Sequence, residues 1–425
     1  MSLQAGIGTH DITPPAGTPL AGRPTKFPSH KINDPLHVKA IYFEQGDVRA
    51  VLLSVDLVLL MPEFASEMRG AIADHLDMPV EAVVLCTTHT HSGPGVGEWA
   101  SWDGHDVYEA DLRQKIVEAA QDAQRAAGPA SLFYAAGRWD DQVHNRRWVM
   151  ADGSVATHPR RDGAQQPDGP VDPEVQAVLV RSGDGRAAAV LVGFACHPTA
   201  MGAAEGAISA DYPHWIEAEV KQAFGEQAEM LFFAGALGDV SDGEPFKRPT
   251  GIEMAAHIGR GVGQAAVRSL ETGAIEITGD LSTGYAAVSV PTVDMGPARR
   301  RWAEDVLKAP EGRPSWQVRD ARMVQEMWQE WPDEIDTGAP LVAVGDLAFY
   351  GIPGELTCWY GLQLKAQSRF RHPFVLGLAN GRIGYIADRV FPTKDIFNVP
   401  LDFAHRRFGE HDDAGERIVR AALGM

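Results

Sequence analysis

Four apolar runs in this chain stop abruptly at turns that carry polar residues, and no other feature constrains its fold as much. The first, Ala82-Val83-Val84-Leu85-Cys86, runs into Thr87-Thr88-His89-Thr90-His91-Ser92-Gly93-Pro94-Gly95. The second, Val192-Gly193-Phe194-Ala195-Cys196, ends at His197-Pro198-Thr199. The third, Leu231-Phe232-Phe233, leads to Gly238-Asp239-Val240-Ser241. The fourth, Val375-Leu376-Gly377-Leu378, leads to Ala379-Asn380-Gly381. Short apolar runs bounded by Gly, Pro and polar turns read as buried strands. Between them lie stretches of helical length, over 63–76, 106–127, 211–224, 251–271, 355–370 and 412–423. Strand, helix and strand in succession predict an α/β fold, with mixed sheets and flanking helices. In such folds ligands bind beyond the carboxyl ends of strands, so the four turns are expected to line one cleft.

The remaining segments fill in around this frame. Residues 5–13 read as a strand entering a Pro-rich turn. Residues 38–44 and 49–60 read as two strands turning at Gln45-Gly46-Asp47, and 175–181 with 187–196 as a hairpin. Residues 151–172, polar and rich in Gly and Pro, read as a long loop, and loops of that length are often functional. Residues 297–331 are charged and helical, with Trp302, Trp316, Trp328 and Trp331 expected in a core or pocket wall. No internal repeat or linker interrupts the chain. The expectation is one catalytic domain over 1–425, with 301–332 as a Trp-rich helical insertion.

Composition limits the partners. Lys and Arg number 38 against 57 Asp and Glu, a net charge of -19, which argues against nucleic acid or an anionic membrane surface. Three cysteines, Cys86, Cys196 and Cys358, form no close pair and give no disulfide framework, which fits a reducing compartment. Neither a signal-peptide pattern nor an apolar run of ~18 residues is visible, so a cytoplasmic protein without stable membrane association is expected.

In an extended backbone His89 and His91 point to the same side, where one imidazole can bind a metal and the other carry a proton. His197 precedes Pro198, which holds its backbone extended and displays the ring. Each has a plainer reading as a polar residue capping a turn. Glu355 reads equally as a carboxylate complementing a helix start, Tyr385 as a packed aromatic, and Ser241 as a turn cap. No Gly-x-Ser-x-Gly elbow, HExxH, P-loop or dinucleotide fingerprint is present. The residues by themselves point to an α/β hydrolase-like protein in which a His-rich metal site at the strand ends is one reading and turn-capping histidines the other.

Taken in order, the motifs resemble those of the neutral ceramidases, zinc-dependent amidohydrolases that cleave the N-acyl bond of a sphingoid base. His89-Thr90-His91-Ser92-Gly93-Pro94-Gly95 is similar to that family's most distinctive motif. Phe194-Ala195-Cys196-His197-Pro198-Thr199, Pro353-Gly354-Glu355-Leu356-Thr357 and Gly377-Leu378-Ala379-Asn380 with Gly384-Tyr385 resemble its later ones. Gly6-Ile7-Gly8, Asn145-Arg146 and Gly238-Asp239-Val240-Ser241 also match. The resemblance implies zinc bound by His89, His197, Glu355 and Tyr385, with His91 as acid/base, Ser241 catalytically important and Arg146 orienting substrate. It implies hydrolysis of a carboxamide by metal-activated water, on a small-molecule amide.

The chain departs from the family in three ways. Only 40 residues follow Tyr385, so a short form without the family's C-terminal sandwich domain is expected, and the proline after the serine is Asp242. No second tyrosine follows Tyr385, leaving His405, Arg406 or His411 as substitutes. Two other readings stay open: a non-catalytic metal- or ligand-binding protein of the same fold, and a serine amidase using Ser241.

Overall fold

The computed structural model describes residues 1–22, 28–97, 102–201, 206–247, 251–291, 296–313, 315–327, 332–387 and 414–425. Its largest element is a nine-stranded mixed sheet. Eight strands follow in the order Glu229–Ala234, Ala187–Phe194, Glu174–Ser182, Gly128–Arg138, Gln4–Asp11, His37–Gln45, Val48–Val55 and Val83–Thr87, while Ile275–Ile277 pairs with Gly128–Arg138 off that path. The pair at each end is parallel and the inner pairs are antiparallel. The end strands are apolar along nearly their whole length because both of their faces are covered.

One face carries helices. Pro62–Leu76 and His105–Arg125 pack over Val51, Leu53 and Leu85. Tyr212–Phe224 and Ile252–Gly273 pack over Val190, Val192 and Phe232. The glycines of Ile252–Gly273 weaken it as an isolated helix, yet a Cβ on Gly259 would stand 2.2 Å from Tyr212 O, so glycine is what lets these two helices touch. The other face meets a four-stranded sheet of Leu281–Pro291, Glu334–Val344, Leu347–Gly351 and His372–Leu376. Leu52, Val84, Leu191 and Phe233 bury against Val342, Phe349 and Phe374 there. Helices Cys358–Gln367 and Ala414–Leu423 cover the far side of that sheet. The order helix, sheet, sheet, helix is the expected α/β class with mixed sheets and flanking helices.

The two ends of the large sheet are drawn together where the four turns lie. Ser54 Oγ donates to Phe232 O at 2.6 Å, between a strand near one end and the strand at the other. Beyond His372–Leu376 the chain bridges the same gap. Gly377 N donates to Ala234 O at 2.6 Å, and Asn380 N donates to Leu85 O at 2.7 Å. Asn380 Oδ1 also accepts from Leu85 N at 2.8 Å. Asn380 is held at φ 59, a conformation asparagine adopts more readily than most residues. The second, third and fourth turns are thereby brought against the first.

Three segments differ from expectation. Residues 355–370 are not one helix: Glu355–Leu356 is a short strand parallel to Tyr385–Ile386, and the helix begins at Cys358. Backbone pairing takes this stretch, since Glu355 N donates to Gly384 O at 2.9 Å and Thr357 N to Ile386 O at 3.0 Å. Glu355 therefore does not complement a helix start. Residues 151–172 are not all loop, because Arg147–Met150, Val155–Thr157 and Ala164–Pro167 form a three-stranded sheet. Its outer strands, three and four residues long, are too short to show an apolar alternation. The helical stretch 297–331 divides into Pro297–Lys308 and Ser315–Met327, joined by Ala303, Val306, Ala321 and Val324 with Trp302 against them. Trp328 and Trp331 lie outside the described residues.

Candidate metal centre

The first turn leaves Val83–Thr87 and places His89 in a left-handed conformation, φ 69. Such a backbone is strained for a residue with a Cβ and persists where surrounding contacts impose it. His89 N donates to Leu57 O at 3.0 Å, and His89 Nδ1 lies 2.5 Å from Val58 O. His197 repeats this arrangement: its N is 3.2 Å and its Nδ1 2.9 Å from Val240 O. His91 repeats it again, with Nδ1 2.8 Å from Gly22 O. A Cβ on Gly22, itself at φ 73, would stand 2.5 Å from His91 Nδ1, so only glycine admits the ring. A carbonyl can only accept, so each Nδ1 carries the proton and each Nε2 keeps its lone pair.

The three lone pairs converge. Among the described residues, His89, His91 and His197 form a group able to hold a metal ion, with ligand atoms within 4.8 Å of one another. His91 Nε2 lies 3.3 Å from His89 Nε2. Glu355 joins them: its Oε2 lies 3.0 Å from His197 Nε2 and 3.4 Å from His89 Nε2. Zinc bonds of about 2.0–2.1 Å place neighbouring donors of a tetrahedral site about 3.3 Å apart. These contacts fit that spacing, and an imidazole fixed through Nδ1 to a carbonyl is the usual support for a metal-ligating histidine.

Electrostatics favours the same chemistry. Burial, followed by the charge of Arg146, lowers the His197 pKa to about 3. His91 is held well below its ordinary value by burial and by the neighbouring His89 and His197. Metal ligation needs these neutral rings. Burial alone would raise Glu355, but the charge of Arg382 holds it well below the usual carboxylate range. Arg382 Nε donates to Glu355 Oε1 at 2.5 Å, and both side chains are 1% exposed. Arg382 was missed in the sequence; its one local signal is a cation set between glycines in Gly381-Arg382-Ile383-Gly384.

The other expected residues surround this cluster. Arg146 lies with Nη1 3.4 Å from His197 Nε2, while its Nη2 donates to Gly238 O at 2.5 Å. Its guanidinium also sits 5.1 Å from the centre of the Tyr385 ring. Tyr385 is half-buried beside Glu355 in the paired strands, and burial leads its pKa up to about 12. Ser241 is buried in Val240–Asp242, directly opposite His144 of Val143–Asn145. The pair Asn145-Arg146 is held from the third turn: Asn145 Nδ2 donates to Asp239 Oδ2 at 2.7 Å, and Arg146 N to Asp239 O at 2.8 Å. His405, Arg406 and His411 lie outside the described residues. Asp242 does not face the donors. It bonds Thr199 Oγ1 at 2.5 Å, and burial with the nearby Asp211 raises its pKa to about 8.

A layered α/β scaffold with a buried imidazole–carboxylate cluster at its strand ends defines the general class. No family profile matches the sequence, and no curated protein matches it. Solved structures do. The chain is similar to the neutral ceramidase from Pseudomonas aeruginosa at a TM-score of 0.68 and 19% identity, over 91% of this chain and 68% of that one. It is also similar to a ceramidase complexed with C2, at a TM-score of 0.67 and 18% identity, over 91% and 69% of the two chains. The fold is that of the neutral ceramidases.

Proposed function

We propose that this chain is a metal-dependent amidohydrolase, with zinc as the metal and a small-molecule carboxamide as substrate. The observation that carries this reading is the convergence of imidazole Nε2 atoms on the Glu355 carboxylate, each ring fixed through Nδ1 to a carbonyl. The shared fold with ceramidases, which are hydrolases, supports enzyme status and amide chemistry. His89, His197 and Glu355 would hold the ion, with Tyr385 as the fourth donor. Bound zinc supplies a Lewis acid and lowers the pKa of a bound water to about 7.

The chain's own groups do the rest. His91 Nε2, neutral and turned into the cluster, takes a proton from the attacking water and returns it to the leaving amine. Arg146, anchored on Gly238 O, orients the substrate beside His197. Ser241 donates to or positions the substrate.

A second assignment concerns His91 alone. Its 3.3 Å contact with His89 Nε2 suits a third imidazole ligand as well as a proton carrier. The deciding experiment is metal analysis of the wild type, His89→Ala and His91→Ala, with amide hydrolysis measured before and after chelation. Zinc retained in His91→Ala with turnover lost supports the proton carrier, and zinc lost from both makes His91 a ligand. A wild type without bound metal and indifferent to chelators would end the metal reading. An acyl-enzyme isolated at Ser241 would replace it with the serine route.

A further inference from the structure

Acids outnumber bases in this chain, yet the wall beside the candidate centre runs the other way. From Val143 to Arg161 stand Arg146, Arg147, Arg160, Arg161, His144 and His158, with Asp152 the one acid among them. Asp152 is committed to Ser154, accepting from its N at 3.0 Å and its Oγ at 2.6 Å. Of the cations, Arg147 is neutralised by Asp168 at 2.6 Å. The others form no ion pair with a described carboxylate.

Three of them stand together. His144 stands two residues before Arg146, near enough to feel the charge of its guanidinium, which reaches His197. His144 Nδ1 lies 2.9 Å from Gly243 O, which fixes the ring and leaves Nε2 available. His158 N donates to Arg146 O at 2.8 Å, and φ 50 turns the residue out at the rim, where its side chain is exposed. Partial desolvation, then the charge of Arg146, lowers the pKa of both imidazoles. Among the described residues no carboxylate acts on either ring. Two carboxylates act on Arg146 itself, and both are committed elsewhere: Glu355 to Arg382, and Asp239 to Asn145 and to Cys358 N at 2.7 Å. Arg160 and Arg161 follow His158 on the exposed side of the same segment. Uncompensated positive groups at the mouth of a cleft raise the local concentration of anions and favour an anionic ligand.

We infer that this wall receives an oxyanion carried by the substrate, so that the enzyme prefers an amide bearing a carboxylate or phosphonate near the scissile bond over a neutral amide. The inference rests on the amidohydrolase reading for the scissile bond, but the wall itself requires no metal. A guanidinium with two flanking imidazoles suits either oxyanion, since all three are directional donors once the rings are protonated by the bound charge.

The test uses three matched probes: N-acetylglycine, N-acetylaminomethylphosphonate and the neutral N-acetylglycinamide. Calorimetry on the metal-stripped protein is expected to show the better anionic probe binding at least about 10-fold tighter than the neutral one. His158→Gln, and separately Arg160→Gln with Arg161→Gln, should weaken the anionic probes about 3- to 10-fold and leave the neutral probe unchanged. Carboxylate and phosphonate arms identify which oxyanion is meant. Equal binding of all three probes, or variants that weaken all three alike, overturns the inference. Turnover of the same probes by the zinc-loaded protein separates the two claims. Anion preference without turnover would sink the proposed function and leave the wall standing, whereas turnover without anion preference would do the reverse.

Discussion

The floor and the rim of the candidate centre are built on different terms. On the floor, His89, His197, Glu355 and Arg382 are all buried, and each has a fixed partner: Val58 O, Val240 O, two imidazoles and a carboxylate. At the rim, His91, His144, Arg146 and Tyr385 are half-buried and His158 is exposed, and their partners come from separate segments. The floor therefore has one low-energy arrangement, as preorganised donors require, while the rim can adjust to what enters. The comparison also separates two His positions that look alike in the sequence. His89 belongs to the floor, and His91, two residues on, belongs to the rim because its carbonyl partner comes from the N-terminal loop at Gly22.

The strongest way to break this comparison is to remove one histidine from each side. His89→Ala should lose bound zinc and all turnover. His91→Ala should keep zinc and lose turnover on the order of 10²–10⁴-fold, the usual worth of a positioned acid/base. Metal content by mass spectrometry decides it. Equal metal loss in both variants would move His91 to the floor and make the distinction wrong.

The next largest effect lies wholly on the floor. Arg382→Ala leaves Glu355 charged, buried and without its cation, and removing one partner of such a pair costs about 3–5 kcal/mol. Chemical denaturation of the metal-free protein should show this loss. A loss below about 1 kcal/mol would mean that the carboxylate is solvated in solution. The pH dependence has a defined sign. Glu355 is depressed in the folded protein, so its contribution is present above the ordinary carboxylate pKa and disappears as pH falls through the folded value. His197, depressed to about 3, favours the neutral ring. That term is full above about 6.5 and is lost as pH falls toward 3. Both terms predict that the metal-free protein weakens on the acid side.

How much of this was legible in the sequence follows the same division. The four apolar runs and their turns announced the strands, the class of fold and the convergence, because burial on both faces leaves an unmistakable apolar signal. His89 and His197 stood at the ends of such runs, whereas Glu355 was read at a helix start. Arg382 did not announce itself, since its partner is 27 residues away in sequence and only tertiary pairing brings them together. Gly22 was hidden for the same reason. The strand at Glu355 was read as helix because the pairing that overrides local propensity comes from Tyr385–Ile386. The polar ribbon over 151–172 was read as loop because no apolar alternation marks strands that bury little.

Asp242 sharpens the comparison from beneath. It stands where the resemblance leads one to expect proline, bonded to Thr199 behind the His197 turn. Its folded pKa is raised to about 8, so the protonated form is the stable one inside. Stability from this group is complete below the ordinary carboxylate pKa and is lost as pH rises toward 8. Asp242→Asn should therefore be nearly neutral at pH 5 and raise Tm by about 2–4 °C at pH 9, a shift worth roughly 1 kcal/mol. Thermal scans at the two pH values test it. A Tm gain that does not depend on pH would show that Asp242 is not protonated in the fold.

The smallest expected effect belongs to the rim and tests why it is adjustable. Gly22→Ala places a Cβ 2.5 Å from His91 Nδ1 and adds strain at φ 73. The backbone strain costs about 1 kcal/mol of stability. The larger consequence is chemical: the ring must move, the bond to Gly22 O breaks, and the proton is no longer fixed on Nδ1. Zinc content should therefore stay at the wild-type level while kcat falls by roughly 10-fold or more, because a base displaced by an ångström loses much of its alignment. Measuring metal and kcat on the same preparation separates the two. Loss of zinc in Gly22→Ala would show that the N-terminal loop holds the floor as well as the rim, and that the two regions are one cooperative unit.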